Sequence, residues 1–107
     1  MEIEELQRKQ AEHDKKYGHH HEEFEKIRHI TLHMGKLLGK LSTYCEAHEH
    51  GAHPSSDIIR NEVIPDLLVY SLQLGNLFKI NLERTYTERL EQNTQRLHAR
   101  EQEHHHD

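Results

Sequence analysis

Two histidines four residues apart, His29 and His33, are residues of this 107-residue chain whose type and spacing suggest chemistry. Positions i and i+4 share one face of a helix, so two imidazoles there can chelate an ion of the zinc or nickel class. Glu25, one turn earlier, would offer a third donor on that face. The competing reading is a partly buried, hydrogen-bonded His33. Further histidines cluster at His19-His20-His21, at His48, His50 and His53, and at His104-His105-His106, within a total of thirteen. Protonating all of them would carry the formal charge of −5 through zero under mild acidification. Such clusters fit a solvated polar surface as well as adventitious binding of transition metals. The single Cys45 falls on an apolar seam and reads as a packed thiol rather than a nucleophile. No Gly-rich phosphate loop, Cys-x-x-Cys pair or serine nucleophile elbow is present.

The elements that must hold these residues are helices, and one domain at most. Apolar residues make up 33% of the chain and crowd into 24–97, which is thin for a core of this size. Residues 2–17 carry few apolar positions (Ile3, Leu6, Ala11, Tyr17) and read, with the rest of 1–21, as a polar helical or frayed segment ended near Gly18. Over 22–50, Phe24, Ile27, Ile30, Met34, Leu38, Leu41 and Cys45 step by three and four, a seam suited to helix packing. Gly35 and Gly39 weaken that helix by about 1 kcal/mol each, which the close approach of another backbone would offset. Residues 51–56 form a loop in which Ser55 or Ser56 can cap the next helix. Residues 57–78 are apolar on more than one face, so this helix is central and shares some burial with another subunit. Pro65 predicts a kink or first-turn irregularity there. Asn81 can cap a last helix running to about 103, leaving 104–107 as a His-rich tail. No strand alternation competes, and the fold class is an all-α antiparallel helical bundle.

An acidic chain is a poor nonspecific partner for nucleic acid. No apolar run approaches the ~20 residues that span a bilayer. With no signal-peptide pattern and one unpaired cysteine, the expectation is a cytoplasmic protein.

Three blocks carry a family resemblance. They are Lys36-Leu37-Leu38-Gly39-Lys40 with Leu41; Glu62-Val63-Ile64-Pro65-Asp66 with the apolar run to Leu74; and Ile80-Asn81-Leu82-Glu83 continuing through Arg89, Asn93 and Arg96. In order and spacing they resemble the MazG-like, all-α nucleoside triphosphate pyrophosphohydrolases. That family has an E-E-x-G-E-L block, then E-E-x-x-D, then G-I-D-L-E leading into K-x-x-x-N-x-x-R. The likeness covers roughly 27–97 and implies a MazG-like domain over 22–103, assembled as a dimer or a dimer of dimers. It also implies magnesium held by two pairs of carboxylates on facing helices, because magnesium takes hard anionic oxygens, for the cleavage of a nucleotide to monophosphate and pyrophosphate.

The acidic positions depart from that pattern. The first pair of ligand positions falls on Leu37 and Lys40, the second on Val63 and Asp66, so only Asp66 remains a carboxylate. Glu62, one turn before Asp66, can partly substitute. One reading is a converted site, with Lys36 and Lys40 supplying the charge of the lost metals and pairing with Glu62 and Asp66. The other is four surface charges that never meet. Arg89, Asn93 and Arg96 share one helix face by i, i+4 and i+7 spacing. They suit a nucleotide phosphate, arginine being fit for bidentate contacts; salt bridges to Glu88, Glu91 or a neighbouring subunit fit equally. The expected function is therefore a catalytically impaired interaction, regulatory or nucleotide-binding module, with no cofactor. The alternative is an active magnesium-dependent enzyme with a rearranged site built on Glu62 and Asp66.

Overall fold

The computed structural model describes residues 1–18 and 22–105, and among them every regular element is helical. Helix α1 spans Ile3–Tyr17, α2 Glu23–Glu49, α3 Ile64–Leu77 and α4 Leu82–His105, with a π-helical segment, Ile59–Val63, leading into α3. The result is a four-helix bundle. Apolar α3 is its hub: α1 and α2 pack on it, the π-helical segment packs against α2, and α4 joins through α1. The three main helices expected from apolar patterning therefore do not form the bundle alone. Polar α1 is part of it, and α4 is its least covered member.

The irregularity expected at Pro65 is the π-helical segment. Proline has no N–H to donate, and its ring crowds the carbonyl four residues earlier. A wider turn relieves that crowding, and the Ile64 N–H reaches back five residues to the Ile59 carbonyl. Asn81 caps α4 as expected, its Oδ1 accepting the Arg84 N–H at 3.1 Å. Ser55 Oγ accepts the Asp57 N–H at 3.2 Å at the start of the preceding helical stretch.

The buried side of α2 differs from the expected seam. Ile30 and Leu37 are buried, whereas Phe24 and Leu38 are exposed, and Cys45 is a free, exposed thiol. The strict seven-residue seam drifts around a helix of 3.6 residues per turn; the face that meets α3 runs through Ile27, Ile30, Met34, Leu37, Leu41 and Tyr44. Gly35 and Gly39 lie on the opposite side, where a Cβ would meet nothing within 4 Å. Among the described residues, no backbone makes the approach expected there.

Among the described residues, only Ile30, Leu37, Val63 and Leu72 form the buried apolar core. The accessible surface is 9042 Å², against roughly 6,300 Å² for a compact monomer of this mass. The radius of gyration, 18.1 Å, likewise exceeds the ~13 Å of a compact domain of this length.

Candidate functional site

The facing surfaces of α2 and the π-helical segment carry the first group of charges. Lys40 Nζ donates to Glu62 Oε1, with both side chains a little under half exposed. Lys36 does not complete the second pair: among the described residues no ion pair joins it to Asp66. Its ammonium acts instead on His33, one turn earlier on α2, while Asp66 acts on Tyr70, one turn later on α3. The tyrosine hydroxyl is held above its ordinary range by partial burial and then by the Asp66 charge.

His29 and His33 lie with ring centroids 4.2 Å apart, and His33 stacks on Tyr70 at 5.8 Å with the planes 26° apart. Desolvation, then His29, then Lys36 push the His33 pKa below its usual value. Glu25 does not make this a three-donor site, since no group of three or more His, Cys, Asp or Glu among the described residues is arranged to hold a metal ion. Glu62 is thus a carboxylate already paired with an ammonium, and Asp66 a carboxylate whose charge acts on a phenol.

Arg89, Asn93 and Arg96 sit elsewhere, on α4, whose main packing partner is α1. Arg96 Nη2 donates to Asn93 Oδ1 at 2.6 Å, and Arg89 Nη1 donates to Gln92 Oε1 at 3.3 Å. These bonds close within one helix face; the alternative partners Glu88 and Glu91 take no ion pair from either arginine among the described residues. Of the histidine clusters, His48 and His53 meet edge to face at 6.4 Å. His19-His20-His21 and the side chains of His104-His105-His106 lie outside the described residues.

Two further groups had no motif to announce them. Tyr70 reads in sequence as one more apolar position of a central helix, and only its i+4 relation to Asp66 hinted at more. Gln7 gives no signal at all, yet it is the buried polar residue of the core, 7% exposed. Its Nε2 donates to the Ile80 carbonyl at 3.0 Å and to Asn76 Oδ1 at 3.3 Å, and its Oε1 accepts the Leu82 N–H at 2.9 Å.

Compared with known proteins, the chain matches no protein-family model, no curated protein and no solved structure. Among the described residues no helix is long and apolar enough to cross a membrane.

Proposed function

We propose that this chain is a MazG-like helical module that has lost pyrophosphohydrolase catalysis and acts by association, first with further copies of itself. The observation that carries the reading is the Lys40–Glu62 pair. A protonated lysine cannot ligate magnesium, and its charge meets Glu62, one of the two carboxylates on which a rearranged metal site would depend. Lys36 adds a second ammonium on the same helix.

Association is supported by what the single chain leaves uncovered. Phe24, Leu32 and Leu38 on α2, Ile64 and Leu68 on α3, and Tyr86, Leu90 and Leu97 on α4 are all exposed. The surface in excess of a compact monomer is of the order of 2,700 Å² per chain, comparable with what obligate assemblies bury. Isologous pairing would cover it in a dimer or a dimer of dimers. Nucleotide binding along Arg89, Asn93 and Arg96 stays within this proposal as a retained phosphate contact.

The test is incubation with a panel of standard and modified nucleoside triphosphates plus Mg²⁺ or Mn²⁺, scoring pyrophosphate, alongside sedimentation equilibrium. The expected result is no turnover and a mass of two or four chains. Turnover that disappears in Asp66→Ala overturns the loss of catalysis, and a monomer at tens of micromolar overturns the association.

A further inference from the structure

We propose that His29 and His33 form a two-imidazole chelate for a divalent transition ion of the zinc class, independent of the converted carboxylate site. The spacing is the first support, since it sets both rings on one side of α2. The distance between them is the second. Two imidazoles on one ion, with metal–nitrogen bonds of ~2.0–2.1 Å and angles from ninety degrees to tetrahedral, hold their ring centres roughly 4.5–5 Å apart. The observed separation is 4.2 Å, close to that range, so the two rings are already neighbours on one side of α2.

Tyr70 is the third support. Stacked on His33 from α3, it holds that ring against a second helix. No hydrogen bond among the described residues uses a nitrogen of either ring. Imidazole nitrogen selects zinc, nickel and copper over magnesium, which takes oxygen. With two protein donors, the remaining positions of the ion belong to water or to an incoming anionic ligand. Lys36 lies one turn further along α2, so the ion would add positive charge next to a like group.

The full chain serves for the test, with zinc titrated at neutral pH and a chromophoric competitor reporting free metal. His50→Ala controls for the cluster of His48, His50 and His53, and the titrations are made in a full-length background with alanine at His19, His20, His21, His104, His105 and His106. The expected result is one class of site weakened at least tenfold by His29→Ala and by His33→Ala, and unchanged in His50→Ala. Titrations of the two variants that superimpose on wild type overturn the proposal. Because a variant that loosens α2 would also lose binding, wild-type protein is titrated in parallel with substoichiometric Co²⁺ and followed by NMR. Broadening of the Tyr70 ring resonances ahead of those of the other tyrosines supports the site; broadening that begins elsewhere overturns it.

Discussion

The Oε1 of Gln7 accepts the backbone N–H of Leu82, seventy-five residues away, at 2.9 Å, and so fastens the first helix to the start of the last. The same amide group donates to the Ile80 carbonyl, while Asn76 Nδ2 donates to the Gln7 carbonyl at 3.0 Å. One side chain thus occupies backbone groups left open where α3 ends and α4 begins. Gln7→Leu keeps the volume but strands the Leu82 N–H, the Ile80 carbonyl and the Asn76 Oδ1, while the Asn76 Nδ2 keeps its bond to the backbone carbonyl of residue 7. The expected loss in chemical denaturation is about 2–3 kcal/mol. A change within a few tenths would mean that water replaces the amide and that α1 is not fastened there.

Gly75 lets that junction close. A Cβ there would stand 2.7 Å from Leu82 Cδ1 and 3.1 Å from Gln7 Nε2. Gly75→Ala gains helix propensity yet must push Leu82 aside, and the expected net effect is a destabilisation of about 1–3 kcal/mol. Gly35→Ala, with nothing to meet inside the chain, is the comparison: two alanines with the same propensity gain and opposite packing consequences. Equal thermal midpoints for the two variants would refute the tight packing at Gly75.

Two helices end in the same motif with different residues. After α2, Ala52 N–H bonds the Ala47 carbonyl and Gly51 sits at φ 87°. After α3, Ile80 N–H bonds the Gly75 carbonyl, and Lys79 takes the left-handed position at φ 56°. Glycine reaches that conformation freely, and a side chain does so at a cost of roughly 1 kcal/mol. Lys79→Gly is therefore expected to stabilise the protein by up to about 1 kcal/mol, and Gly51→Ala to destabilise it by a similar amount. A lower midpoint for Lys79→Gly would show that the lysine side chain contributes more than its backbone strain removes.

The Lys40–Glu62 pair is half exposed, so solvent screens it and it adds little to the stability of the fold. A double-mutant cycle on the pair is expected to give a coupling of less than about 1 kcal/mol. Lys40→Glu should do something different in kind. It places a second carboxylate opposite Glu62 with Asp66 nearby in sequence, and measurable Mg²⁺ or Mn²⁺ binding by calorimetry is the expected outcome. A variant that binds no more metal than wild type would count against a site converted from a metal centre.

How much of this was legible in the sequence follows from which signals are local. The all-α class, the loop at 51–56, the Asn81 cap and the disturbance at Pro65 each depend on nearest neighbours along the chain, and each is written in residue type. The docking of α1 is not, because its polar anchors, Gln7 on Asn76, Ile80 and Leu82 and Asp14 on Gln73, join residues some sixty to seventy-five positions apart. Cys45 and Phe24 were misread for a related reason. Their spacing marks an apolar face, but spacing alone does not say whether that face meets α3 or lies open, and the structure turns it away from α3. The site was half legible: the opposite charges of Lys40 and Glu62 implied a meeting, whereas the lack of an ion pair between Lys36 and Asp66 among the described residues depends on the rotation of α2.

The N-termini of α1 and α4 meet at a cluster of acids, which makes stability depend on pH in an unusual direction. Glu83 accepts the Ile3 backbone N–H, a contact that favours its charged form, but a hydrogen bond with Glu2, partial desolvation and the charges of Glu2 and Glu4 together raise its pKa. A carboxyl whose pKa is higher folded than unfolded contributes stability below the unfolded value, near 4.5, and loses it as the pH climbs through the folded value. At neutral pH, therefore, the cluster works against the fold. Glu83→Gln keeps an oxygen for the Ile3 N–H and removes the charge. Its thermal midpoint should exceed that of wild type at pH 7, with the difference shrinking as the pH is lowered towards 4. A variant equally or less stable than wild type at pH 7 would mean that the attraction of the carboxylate to the α1 terminus outweighs its repulsion from Glu2 and Glu4.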